Sequence, residues 1–246
     1  MNLKKIIIVP ALCWLLLSCN KEAELAPAPG VAYLMFYNGA PGFYGAGSMV
    51  LVNNAATDSL EYNDDGRGLV GAFNASKYNI ADTGVFRIAF TGKRDTEGKT
   101  AKITERNYHF EANLHYTLYL ADSLGFYETL VTKDDVKADP LNAKIRLIHL
   151  GADCGEVHMK MDTAAIKGME QVRFRQVTDY VSVAPDVKPG IRILATDPVS
   201  GEEKSVVRKS FPLEAGKCYT MILRGYKTPP DGNVNKTMNL STLINF

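Results

Sequence analysis

Two stretches decide the fold: Phe110-Glu111-Ala112-Asn113-Leu114-His115-Tyr116-Thr117 and Leu213-Glu214-Ala215-Gly216-Lys217-Cys218-Tyr219-Thr220. They align without a gap. In each, a tyrosine follows a Glu-Ala turn and opens an apolar run, Tyr116-Thr117-Leu118-Tyr119-Leu120 in one and Tyr219-Thr220-Met221-Ile222-Leu223 in the other. Sandwich folds often place a tyrosine where the chain crosses between sheets, with its hydroxyl bonded to upstream backbone. Tyr116 and Tyr219 therefore read as structural corner residues; a catalytic tyrosine is the alternative reading.

Working outward, other segments match in the same order. Val31-Ala32-Tyr33-Leu34-Met35-Phe36-Tyr37-Asn38-Gly39-Ala40 aligns with Ala143-Lys144-Ile145-Arg146-Leu147-Ile148-His149-Leu150-Gly151-Ala152 through the shared Gly-Ala ending. Tyr78-Asn79-Ile80 answers Tyr180-Val181-Ser182-Val183, and Phe86-Arg87-Ile88-Ala89 answers Ile191-Arg192-Ile193-Leu194. Tyr78 precedes Tyr116 by 38 positions and Tyr180 precedes Tyr219 by 39. A tandem duplication explains this spacing.

No long segment beyond the N-terminus has helical period. Short alternating or apolar runs recur between Gly, Pro, Asn and Asp clusters, the pattern of an all-β chain. Lys137-Ala138-Asp139-Pro140-Leu141-Asn142 makes the best internal boundary, since Pro140 suits no continuing strand. It divides the chain into 31–138 and 139–246, each 108 residues long, the size of an immunoglobulin-like sandwich. The fold class expected is all-β, with two tandem immunoglobulin-like antiparallel β-sandwich domains.

Ala143-Lys144-Ile145-Arg146-Leu147-Ile148-His149, the later Tyr180 strand and Leu213 to Thr220 resemble the domain of unknown function 4397 family. The resemblance covers 143–224 well and 31–132 more loosely, because Tyr37-Asn38 replaces the family's His-small pair. It implies tandem immunoglobulin-like units in a bacterial envelope lipoprotein of Bacteroidota type. It implies no substrate, cofactor or catalytic residue.

The N-terminus reads as an address. Lys4 and Lys5 precede an apolar run, Ile6 to Leu17, of 12 residues. A membrane-spanning helix needs about 20, so residues 1–18 read as a signal peptide. Leu16-Leu17-Ser18-Cys19 resembles the bacterial lipobox, which makes Cys19 the expected lipidation site. Acyl chains on Cys19 would hold the protein at the membrane, at about 0.8 kcal/mol per buried methylene. Residues 19–30, rich in Ala and Pro after Lys21-Glu22-Ala23-Glu24, read as a tether. Position 20 is Asn, so the aspartate signal for inner-membrane retention is absent. An outer-membrane lipoprotein follows, at the periplasmic face or the cell surface; the acidic run after Cys19 resembles a degenerate surface-export signal.

Composition narrows the function. The 246 residues carry 28 Lys+Arg against 27 Asp+Glu, and a chain so balanced lacks the basic surplus of a nucleic-acid binder. Loss of Lys4 and Lys5 with the leader leaves 26 basic against 27 acidic residues. Trp14, the one tryptophan, would go with them.

Chemistry is harder to find. His109, His115, His149 and His158 show no zinc-ligand spacing. Asn63-Asp64-Asp65-Gly66 lacks the alternating ligands and distal glutamate of a calcium loop. The glycine-rich Gly39 to Ser48 leads into a strand, where a phosphate cradle needs a helix N-terminus. No catalytic residue, metal or cofactor is assigned. Cys154 and Cys218 remain after Cys13 and Cys19, and could form a disulfide in an oxidising compartment or stand as two thiols. Tyr and Phe number sixteen in 31–138 and six in 139–246, which fits strand filling or a stacking surface for a partner.

The leading expectation is a non-enzymatic lipid-anchored binding or spacer module, with envelope proteins or extracellular glycans as partners. The alternatives are a glycan-binding surface lipoprotein and a fimbrial subunit or tip component that donates residues 237–246 as a strand.

Overall fold

A computed structural model describes residues 30–43, 48–53, 55–60, 78–94, 100–197 and 199–245. The first half forms β1 (Val31–Asn38), β2 (Ser48–Val52), β3 (Ala55–Leu60), β4 (Asn79–Asp82), β5 (Gly84–Arg94), β6 (Thr100–Phe110), β7 (His115–Ser123) and β8 (Phe126–Asp134). The second forms β9 (Ala143–Leu150), β10 (Val157–Met161), β11 (Ala164–Ala165), β12 (Val181–Val183), β13 (Ile191–Thr196), β14 (Glu203–Lys209), β15 (Cys218–Arg224) and β16 (Asn239–Ile244). Among the described residues no helix is long and apolar enough to cross a membrane.

These strands make four sheets of identical plan. Order β4-β1-β7-β8 in the first half repeats as β12-β9-β15-β16 in the second, and β3-β2-β5-β6 repeats as β11-β10-β13-β14. The chain is thus all-β and sandwich-built, but not wholly antiparallel as expected from the sequence. β1 runs parallel to β7, and β9 parallel to β15. The connection between each such pair is several strands long, so no tight hairpin forces opposite directions.

Strand faces correct the alignment of the first strand. In β1, Ala32, Leu34 and Phe36 enter the first sandwich core; in β9, Ala143, Ile145 and Leu147 enter the second. Ala32 therefore answers Ala143, one residue away from the match drawn through Gly-Ala. A shift of one residue exchanges the two faces of a strand, so the Gly-Ala match would have put Leu34 opposite Arg146 and turned a core residue outward.

The turn before each tyrosine explains why its sequence repeats. Asn113 has φ +61° and Gly216 has φ +83°, both left-handed. Glycine enters that region freely and asparagine more readily than most side chains. The same backbone bend is met by different residues at the same position.

The two sandwiches lie face to face. The outward sides of β1 and β7 (Met35, Tyr37, Tyr119, Ala121) pack against those of β9, β15 and β16 (Ile148, Leu150, Ile222, Leu243) in a third apolar cluster. Strands buried on both sides read as continuous apolar runs, as β1, β7, β9 and β15 do. Both halves point the same way. One end, the base, holds the starts of β1 and β9 and the finish of β8; the opposite end, the apex, holds the ends of β1, β7, β9 and β15.

Candidate functional site

The most elaborate polar site sits in the seam at the base. Tyr78 and Thr117 each donate a hydroxyl hydrogen bond to Asp134 Oδ2, at 2.7 and 2.5 Å. The second half repeats the arrangement: Tyr180 and Thr220 donate to Asn245 Oδ1 at 3.1 and 2.5 Å. Each triad takes a tyrosine from just before an edge strand, a threonine from β7 or β15, and a carboxylate or amide from the end of β8 or just after β16.

Two links join the triads across the seam. Asn245 Nδ2 donates to the Tyr78 hydroxyl at 2.9 Å. Arg146 of β9 forms an ion pair with Asp134, and its Nε donates to Thr220 Oγ1 at 2.9 Å. The Arg146 guanidinium also lies 4.6 Å from the Tyr180 ring centroid.

Electrostatics here favour permanence over turnover. Burial, reinforced by Asp134, raises Tyr78 well above an ordinary phenol, and burial raises Tyr180 likewise. Burial alone would lower Arg146; Tyr119 and Asp134 outweigh it and hold the guanidinium above its usual value. The arginine stays charged and the phenols stay neutral near pH 7. Such a cluster locks two sheets together, with its one carboxylate engaged by Tyr78, Thr117, Thr132 and Arg146. Sequence reading missed it. Its signals were an arginine inside the apolar run Ile145 to Leu150 and the repetition of Tyr78/Tyr180 and Thr117/Thr220 at matching positions.

The corner tyrosines serve the same architecture. Tyr116 Oη accepts the Glu111 N–H at 3.2 Å, and Tyr219 Oη accepts the Glu214 N–H at 3.0 Å. Both rings are buried, and each bond reaches five residues upstream.

Cys154 and Cys218 are free thiols, the second of the two alternatives left open by the sequence. Cys218 pairs with Lys144 at the base, whereas Cys154 lies beyond Leu150 at the apex. Six residues of strand between those levels span about 20 Å, against the roughly 4.4–6.8 Å Cα separation a disulfide needs.

Cys154 Sγ lies 3.6 Å from His149 Nε2, which superficially suggests a nucleophile and its base. The hydrogen bonds argue otherwise. His149 Nδ1 accepts the Gly151 N–H at 3.1 Å, so Nε2 bears the proton and donates to the Gly155 carbonyl at 2.7 Å. The nitrogen facing sulfur has no lone pair to take a proton. Burial raises the Cys154 thiol to about 12 and lowers His149 below its ordinary value. Both shifts favour a neutral, inert pair. Asn38 fills the place of His149 in the first half, accepting the Ala40 N–H at 3.0 Å through Oδ1.

The remaining candidates separate. His115 stacks on Tyr33 at 4.5 Å and meets Tyr78 edge-on at 4.7 Å. His158 lies 3.0 Å from Glu203. Among the described residues no three His, Cys, Asp or Glu side chains gather as a metal site. The leader 1–18, Cys19 and Asn63-Asp64-Asp65-Gly66 lie outside the described residues, as do most of residues 19–30 and part of the glycine-rich stretch Gly39 to Ser48. The proposed donor segment is already engaged, because β16 pairs with β15 from Tyr219 to Arg224.

At the apex a second clamp crosses the seam. The buried Asp122 accepts the Gly42 and Gly125 N–H groups, at 2.9 and 2.7 Å, and the Tyr226 hydroxyl. One carboxylate thereby ties the β1–β2 loop, the β7–β8 turn and the segment after β15. Beside it, Phe126, which opens β8, is 80% exposed, and Phe174 and Arg175 approach from the second half. Arg175 forms an ion pair with Glu128 and lies 5.5 Å from the Phe174 ring centroid.

Two solved structures, each titled "putative cell adhesion protein", are similar to this chain at 10% identity. The one from Bacteroides fragilis has a TM-score of 0.20, covering 82% of this chain and 84% of that one. The one from Bacteroides ovatus has a TM-score of 0.23, covering 88% and 96%. Likeness that low carries no argument about function. No curated protein matches the chain. The profile of the family described as Domain of unknown function (DUF4397) matches residues 32–160. That span takes in the first half from Ala32 onward and reaches the second only through β9 and most of β10, the reverse of the emphasis expected from the motifs. With more than half its length matched, the chain belongs to the Domain of unknown function (DUF4397) family.

Proposed function

We propose that this protein is a lipid-anchored, non-enzymatic binding module of the outer cell envelope, attached through Cys19 and presenting its apex away from the membrane. The observation that carries this reading is Leu16-Leu17-Ser18-Cys19 followed by a short tether that enters β1 at the base. A chain held there directs the opposite end outward, and that end carries the exposed Phe126 and the half-buried Phe174. Two further features support a scaffold: the seam is clamped at both ends, and the Cys154–His149 approach is protonated the wrong way for catalysis.

The fimbrial alternative needs a strand free for donation, and the last strand is taken within its own sheet. Metabolic labelling with an alkyne fatty acid tests the anchor. The wild-type chain incorporates label and sediments with membranes, and Cys19→Ala loses both. A Cys19→Ala chain that still takes up lipid contradicts the proposal.

A further inference from the structure

We infer that the apical groove between the β7–β8 turn and the 173–176 loop binds a neutral oligosaccharide. This inference rests on the binding-module reading and names its site and ligand class. The Glu128–Arg175 ion pair stands between two adjoining clefts of about 280 and 250 Å³. Phe126 and Phe174 line the first, and Arg106 reaches the second. Together the two clefts fall within the usual range for ligand pockets, about 300–1,000 Å³. Their arrangement in a row suits a chain of rings.

The lining chemistry selects hydroxyl-rich rings. An exposed phenyl face attracts the C–H face of a pyranose, while Glu128 accepts from and Arg175 donates to neighbouring hydroxyls. Glu128 and Arg175 are each nearly half exposed, so their remaining lone pairs and N–H groups can be met by a ligand. An apolar side chain from a protein partner would instead strip water from the charged pair without replacing its hydrogen bonds, which costs free energy. An anionic ligand gains little from Arg175, whose charge is already countered.

The backbone is held in costly conformations at the same place. Arg175 has φ +66° and Leu124 has φ +54°, in a region where non-glycine residues store strain. In Arg175 the bend lets its N–H reach the His149 carbonyl at 2.7 Å while the guanidinium stays over the groove. Leu124, which begins the turn that projects Phe126, is itself exposed.

The test is an array of neutral and acidic oligosaccharides probed with the full mature chain and with Phe126→Ala, Phe174→Ala and Glu128→Gln. Phe126 is exposed, so its truncation leaves the melting temperature unchanged and isolates the ring. The wild type retains neutral oligosaccharides, and both Phe126→Ala and Glu128→Gln weaken retention at least tenfold. Methyl pyranosides in solution compete. Retention of no neutral glycan, retention only of sulfated or sialylated glycans that salt abolishes, or retention unaffected by these variants overturns the inference. A lipidated chain that fails on the array leaves the binding-module reading intact, whereas a chain that takes no lipid removes that reading whatever the array shows.

Discussion

Asp134 and Arg146 meet across the seam although one ends the first sandwich and the other lies in the opening strand of the second; their side chains are 0% and 3% exposed. Removing one member of a buried pair strands the other charge, at a cost of about 3–5 kcal/mol. Asp134→Asn or Arg146→Met should lower unfolding free energy by that order in urea denaturation. Combining them should recover much of the loss, because Asn245 already fills the matching place in the second half without a charged partner. Additive losses in the double variant would show that the pair is not coupled.

Tyr219→Phe removes only the acceptor of the Glu214 N–H. A single intramolecular hydrogen bond contributes about 1 kcal/mol net, so a loss near that size is expected, with membrane attachment unchanged. Tyr116→Phe should behave alike. A variant as stable as wild type in calorimetry would remove the corner role.

Gly216 offers a test of backbone alone. A Cβ added there meets nothing within 4 Å, so the cost of Gly216→Ala arises from its φ of +83°. It should destabilise by about 1–2 kcal/mol, and Gly216→Asn by less, since Asn113 already holds that bend in the first half. Equal costs for Ala and Asn would contradict the equivalence.

Burial holds His149 below its ordinary pKa in the folded protein. The unfolded chain, with a value near 6.5, then binds more protons below that pH. Stability is fully present above about pH 6.5 and is lost as pH falls toward the lower folded value. Asn38 fills the matching place in the first half without titrating, so His149→Asn should flatten the decline in denaturation midpoint between pH 7 and pH 5. A slope identical to wild type would mean that His149 does not titrate between the two states.

The repeated strand order was legible because its markers are local. A tyrosine after a Glu-Ala turn and a bend met by Asn or Gly survive in the chain as recognisable residues. The facing of β1 was not, because Val31 to Asn38 and Ala143 to Leu150 are apolar on both sides, and such runs do not state which side enters which core. Gly-Ala was a persuasive anchor, yet β9 holds one residue more than β1 between its core positions and that ending. The seam was hidden for the same reason. Arg146 could have exposed it, since a charge within a doubly buried strand demands a partner. The cysteines stayed undecided because sequence separation says nothing about which end of a parallel pair each occupies.

Of the two faces left open by the sequence, display at the cell surface is tested most directly by labelling intact cells that express a Val234→Cys variant with a membrane-impermeant maleimide. Val234 is 73% exposed in the segment joining β15 to β16 at the apex, while Cys154 and Cys218 are buried and react slowly. The variant should label within minutes on unbroken cells and fractionate with membranes, and wild type should not label. Reaction of Val234→Cys only after the cells are lysed would contradict surface presentation.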